Sequence, residues 1–190
     1  TVDQDPQKFL GSHITLRNKS EDIYKYVSSK IKSKLDNVDN SKVRNEYKVA
    51  IYSKYVLPSI RFLLTVHDLK QTHLDKLDSM SINFVKKWLG IPSNGANVAF
   101  IHDSKGLNIL RISDLYFECH ALAYGRTRMR GDTLVQNALD SKLERENTWT
   151  RQKSTVVHSD ITYDNSIACA KDTTSWPSVK KSIKKSLATE

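Results

Sequence analysis

Lys25, Lys30, Lys32 and Lys34 are closely spaced in a stretch with no acidic residue between Asp22 and Asp36. Farther on, Arg126, Arg128 and Arg130 alternate in Arg-Thr-Arg-Met-Arg-Gly, and the next acidic group is Asp132. Such groups break no bonds; they neutralise phosphates, Lys as a compact charge and Arg as a planar fork. Each cluster also has a plainer reading. The lysines fit a solvated helix face, and the arginines fit a helix end whose cations complement the dipole. Lys86-Lys87, beside Trp88, are open to the same two readings. Lys180-Lys181 and Lys184-Lys185 add a nuclear-import patch, an RNA contact or a membrane-surface helix to the choices.

No catalytic constellation accompanies these cations. The chain has no Gly-rich phosphate loop, no nucleophile elbow and no His-Glu-x-x-His. His13, His67, His73, His102, His120 and His158 are scattered, and the adjacent Cys119-His120 would point about 100° apart on a helix, unlike a metal pair. Two-metal phosphoryl transfer needs carboxylates around ions roughly 4 Å apart. Asp75, Asp78 and Asp114 read instead as helix-surface or capping groups, and no Tyr-x-Asp-Asp occurs.

Composition sets the frame. A net charge of +9 favours an anionic partner, nucleic acid before acidic membrane. The 190 residues, 38 % hydrophobic, suit one domain with a looser tail, and two cysteines point to a reducing compartment. No unbroken apolar run reaches membrane-spanning length, so no membrane span is expected, and the N-terminus lacks signal-peptide character. The missing initial Met suggests a piece of a longer protein.

The elements that must position the cations are mostly helices. Phe9 through Leu16 alternates as a short strand or hairpin arm, with its partner expected outside this sequence. Arg17 to Ser20 reads as a turn, with Ser20 capping a helix to about Leu35 on the stripe Ile23, Val27, Ile31, Leu35. A break at Asp36–Asn40 and a cap at Ser41 lead to a second helix burying Val43, Tyr47, Ala50 and Ile51. That helix should stop near Leu57 because of Pro58. Lys54 falls awkwardly in its apolar sector, and Ile60 to Val66 reads as a buried continuation. Thr72 caps a third helix with Leu74, Leu77, Phe84, Val85 and Trp88 inward, stopped by Gly90 and Pro92. Trp88, Phe84 and Tyr47 read as core rather than base-stacking groups.

Val98–Ile101 is a candidate strand. Ser113 caps a fourth helix with Leu115, Cys119, Leu122 and Ala123 inward, and a fifth runs from about Thr133 to Glu146. Trp149 to Thr174 shows no period and reads as a linker, followed by a short helix through Val179, Ile183 and Leu187. The fold class expected is a mainly α helical bundle, with a short N-terminal strand or hairpin and a loosely ordered C-terminal segment.

The order of several short motifs resembles the segment after the polymerase palm in reverse transcriptases of LINE-type (non-LTR) retrotransposons. Its pieces are Phe9-Leu10-Gly11, Lys48, Leu57-Pro58 with Phe62, Leu77-Asp78, Lys86-Lys87, Leu89-Gly90-Ile91-Pro92 and Lys105-Gly106-Leu107-Asn108-Ile109. The last lacks two glycines of the family's Gly-Gly-Leu-Gly-Ile, so Asn108 would have to take a backbone geometry that suits Gly better.

The resemblance covers roughly residues 8 to 148 and implies an end-of-palm strand over 1–18, a helical thumb over 19–92 and a helical extension over 93–148, which leaves 149–190 as a flexible tail with a possible short basic helix. It implies a grip on RNA, DNA or an RNA–DNA hybrid, through shape and phosphates, beside the palm and fingers of a parent polymerase in the nucleus or cytoplasm. The binding set is then Lys25, Lys30, Lys32, Lys34, Lys48, Lys86, Lys87, Arg126, Arg128 and Arg130. No cofactor is expected in this chain; Mg belongs to the palm, and polymerase activity is not expected from this chain alone. The competing reading is a helical protein-interaction module with no direct nucleic-acid role.

Overall fold

The computed structural model describes residues 7–9, 12–14, 20–94, 101–103, 106–149, 155–170, 172 and 174–189. It is a mainly α, multi-helix bundle. The chain forms two compact units, Thr1–Leu115 and Tyr116–Glu190.

In the first unit, β1 (Gln7–Phe9) pairs antiparallel with β2 (Ser12–Ile14), in the register Gln7↔Ile14, Lys8↔His13, Phe9↔Ser12. The strand therefore finds a partner within the chain. The expected turn at Arg17–Lys19 lies outside the described residues.

Helix α1 spans Ser20–Asp39 and buries Val27, Ile31, Leu35 and Val38. It runs one turn past the expected end near Leu35, through the expected break, because Val38 continues the apolar stripe and outweighs the weak helix preference of Asp and Asn. Ser41 serves this helix and not the next one: its hydroxyl donates to the Val38 carbonyl at 2.6 Å. Ser20 lies inside the first turn, and its buried Oγ has no partner among the described residues.

Helix α2 corrects the sequence reading most. It runs without a break over Asn45–Val66, through a π turn at Tyr52–Val56 and past Pro58. Proline collides with the carbonyl of residue i−4, and a π turn re-aims the carbonyls just before it. Lys48, Tyr52, Val56, Ile60 and Leu64 are buried at a constant four-residue step. Four residues advance an α-helix about 40° beyond a full turn, so such a stripe would drift round a regular helix. The wider π turn winds it back. Tyr47 and Val43, expected inside, are exposed, as are Lys54 and Phe62. In length and composition Asn45–Val66 is apolar enough to cross a membrane, although no unbroken apolar run marks it in the sequence. Here its buried side chains belong to the core of the first unit, against α1 and the next helix.

That helix, α3 (Gln71–Trp88), buries Leu74, Leu77, Val85 and Trp88, with Phe84 half-buried beside the Trp88 ring. Thr72 lies within it, and the flanking Lys70 makes no side-chain cap. Gly90 ends it as expected. At φ 68° it donates its N–H to the Lys87 carbonyl (3.2 Å), and the Ile91 N–H reaches the Lys86 carbonyl (2.9 Å). This pair of bonds is the Schellman pattern, which satisfies two end carbonyls through a left-handed residue.

The candidate strand at Val98–Ile101 falls mostly outside the described residues, but Ile101 is buried and helical. Its carbonyl accepts the Ile109 N–H at 3.0 Å, and the Asp103 carbonyl accepts the N–H groups of Gly106 and Asn108. Asn108 closes this turn at φ 49°, the left-handed geometry that the glycine-poor sequence put in question. Asn tolerates that region better than most residues. Replacing Asn108 with Gly should leave stability unchanged or higher, whereas Asn108→Ala should cost about 1 kcal/mol; urea midpoints of the two variants test the difference.

Helix α4 (Ile112–Arg130) starts in the first unit and continues in the second. In the second unit a turn at Gly131 (φ 69°) leads to α5 (Thr133–Trp149). Asp132 caps α5: its Oδ1 accepts the Leu134 and Val135 N–H groups at 3.1 and 3.4 Å.

The expected linker instead contains α6 (Thr155–Cys169), packed against α5 and α7 (Trp176–Thr189). It shows no apolar period because its buried residues include Ser159, Thr162 and Ser166. The burial of Thr162 and Ser166 is possible because their hydroxyls bond back to the preceding turn: Thr162 to the His158 carbonyl at 2.7 Å and Ser166 to the Thr162 carbonyl at 2.5 Å. Val179 and Ile183 of α7 join Ala121 of α4 in the core of this unit. Gly125 allows the close approach there; a Cβ at that position would lie 3.0 Å from both Ile183 Cδ1 and Tyr163 Cδ2.

Candidate nucleic-acid interface

The expected binding cations occupy different environments. On α1, Lys25, Lys30 and Lys32 are exposed and Lys34 is half-buried. Lys25 and Lys32 are seven positions apart, two turns of helix, on the side away from Val27, Ile31 and Leu35. Lys30 approaches the face of Tyr26, 5.9 Å from its centroid.

Lys48 and Lys86 are buried, each only 8 % exposed, and both ammonium groups bind backbone carbonyls. Lys48 Nζ donates to Asp39 O at 2.7 Å, and Lys86 Nζ to Ser93 O at 2.9 Å. A buried Lys must satisfy its donors internally; Lys48 does so at the last residue of α1 and Lys86 in the loop after α3. Lys87 stays 65 % exposed while its Nζ meets Asp39 Oδ2 at 2.6 Å.

Asp39 is thus the centre of a local network. Its other carboxylate oxygen accepts the Trp88 indole N–H at 2.9 Å. The Lys87 and Trp88 hydrogen bonds, Lys87 first, hold its carboxyl below the ordinary aspartate value. An Asp at a helix C-terminus opposes the dipole, and the last turn of α1 has no basic residue of its own. Lys48 from α2 and Lys87 from α3 supply the missing positive charge.

The three arginines also divide. Arg126 is exposed, with its guanidinium over the Trp176 ring at 5.3 Å. Arg130 is exposed at the end of α4. Arg128 binds three ways: Nε to the Tyr124 hydroxyl at 2.9 Å, and Nη2 to Asp140 at 2.9 Å and Asp160 at 3.7 Å. Tyr124 in turn donates a short hydrogen bond to Asp160. Burial, then the Asp160 contact, pushes the Tyr124 hydroxyl up to about 12, so it remains a proton donor at neutral pH. Arg128 therefore joins α4, α5 and α6, and its fork is already committed to carboxylates.

The sequence marks Asp78 as a helix-surface or capping group without naming what it caps, and gives no sign of the role of Asp39. Asp78 Oδ1 accepts the Ile112 N–H at 2.7 Å and the Ser113 N–H at 3.3 Å, so Asp78 caps α4 from α3 in place of Ser113. Asp39 was read as part of a helix break. Neither role has a local signature, because the partners lie far away in sequence. Among the described residues no group of three or more His, Cys, Asp or Glu could hold a metal ion.

Fold and surface together define a mainly α protein of basic character with exposed lysines on its first helix. No protein-family model, no curated protein and no solved structure matches the chain.

Proposed function

We propose that this chain is the thumb and following linker of a LINE-type reverse transcriptase, gripping a template–product duplex by its phosphates. The chemistry, with its Mg ions, belongs to the palm and fingers of the parent polymerase, and the duplex is an RNA–DNA hybrid or DNA. The single observation that carries this reading is the exposed pair Lys25 and Lys32 on the side of α1 away from the core, with Lys30 and Lys34 flanking the apolar stripe. A regular helix presenting cations and no intervening carboxylate suits a phosphate ridge, which is read by charge and shape.

The order of motifs supports it too, and packing gives that order a reason. Leu77 enters the core while Asp78 caps the helix that follows the Gly106–Ile109 turn, so the two motifs serve one scaffold. Of the proposed binding set, Lys25, Lys30, Lys32, Lys34, Arg126 and Arg130 stay in this reading as contacts. Lys48, Lys86 and Arg128 serve to shape the scaffold, as does Lys87 through its ion pair with Asp39.

Fluorescence anisotropy with a labelled RNA–DNA hybrid tests the reading. Affinity should fall steeply with salt, and Lys25→Gln/Lys32→Gln should flatten the log–log slope by about 0.9 per lost contact. Binding that is absent, or insensitive to salt and to this double change, defeats the phosphate grip and favours the protein-interaction module.

A further inference from the structure

The outward face of α2 carries no assigned role in the duplex grip. Tyr47 is 56 % exposed, Tyr55 70 % and Phe62 52 %, with Val66 beyond them at 45 %. All lie on the side opposite the buried row Lys48, Tyr52, Val56, Ile60 and Leu64. The π turn that keeps that row inward keeps the aromatic row outward as well. Three large rings exposed along one helix, with Val66 beyond them, make a candidate interaction face.

Charge indicates which partner. Lys42 and Arg44 are exposed just before Tyr47 in the chain and Lys54 is exposed next to Tyr55, while Glu46 is the only acidic residue from Ser41 to Val66. Aromatic faces set among cations form a platform on which bases stack while the backbone is neutralised. The spacing selects the form of nucleic acid. At a rise of 1.5 Å per residue, Tyr47, Tyr55 and Phe62 are roughly 12 and 10 Å apart. Bases in a duplex are stacked 3.4 Å apart and offer no free face to side chains so placed. An unstacked strand can lay non-adjacent bases on successive rings.

We infer that the outward face of α2, through Tyr47, Tyr55 and Phe62 with Lys42, Arg44 and Lys54, is a stacking platform for single-stranded nucleic acid. The inference rests on the nucleic-acid reading above but uses different residues, so the two fail separately.

The test uses the full chain and two labelled probes of equal length, an oligouridylate single strand and an RNA–DNA hybrid. Tyr47→Ala, Tyr55→Ala and Phe62→Ala should each weaken single-strand binding roughly tenfold. Hybrid binding should change little, whereas Lys25→Gln/Lys32→Gln should weaken the hybrid instead. Tyr47→Phe/Tyr55→Phe should retain single-strand binding, since the ring and not the hydroxyl makes the contact. Because the three side chains are exposed, circular dichroism and melting of the alanine variants should match the parent. Single-strand affinity unmoved by the alanine changes overturns the platform even if the hybrid still binds. It is equally overturned if these rings drive self-association in sedimentation, or binding to neutral phosphatidylcholine vesicles, with no single-strand binding.

Discussion

Asp39→Ala should destabilise the protein by about 3 kcal/mol, the upper end for stranding a buried polar group. Asp39 joins three helices: its carboxylate accepts from Lys87 and Trp88 of α3, and its carbonyl from Lys48 of α2. Alanine removes the acceptor of the Trp88 indole, a side chain only 3 % exposed, and leaves Lys87 without its partner. Asp39→Asn keeps a neutral acceptor for the indole and should lose about half as much.

The acid response follows from the same network. The folded-state value of Asp39 lies below the ordinary one, so its contribution is complete above about pH 4. It is withdrawn as pH falls through the folded-state value. Urea titrations from pH 7 down to pH 2.5 should therefore show the gap between parent and Asp39→Ala narrowing at the acid end. A constant gap over that range would mean that the carboxylate charge contributes nothing.

Asp78→Ala should cost about 2 kcal/mol, the high end for losing a helix cap, because the freed N–H groups are not on the surface. Ile112 is fully buried and Ser113 is 8 % exposed, so water replaces the lost acceptor poorly. Asp78→Asn should nearly restore the parent, since an amide oxygen caps as well as a carboxylate. Amide hydrogen exchange gives the local readout: Ile112 and Ser113 should exchange faster in Asp78→Ala, and α1 amides should not. Unchanged exchange at those two amides would show that Asp78 does not hold the start of α4.

The residues of this protein determine where most helices lie. The stripes Val27–Ile31–Leu35, Leu74–Leu77–Val85–Trp88 and Val179–Ile183 repeat at helical spacing, and each is buried as its spacing requires. Gly90 ends α3 for a reason carried in its own backbone. The exposed lysines of α1 are likewise legible, since their exposure follows from the position of the stripe beside them. Tertiary structure decided the rest.

Pro58 announces a stop, yet packing of Tyr52, Val56 and Ile60 against neighbouring helices holds α2 together through a π turn and turns Tyr47 outward. Helix α6 hides its buried face in serines and threonines whose hydroxyls are satisfied locally, so no apolar period marks it. Lys48, Lys86 and Arg128 look like their exposed counterparts in the sequence. Only the approach of distant carbonyls and carboxylates converts them from surface charges into internal ties, because an ion's role depends on what folding brings within hydrogen-bond reach.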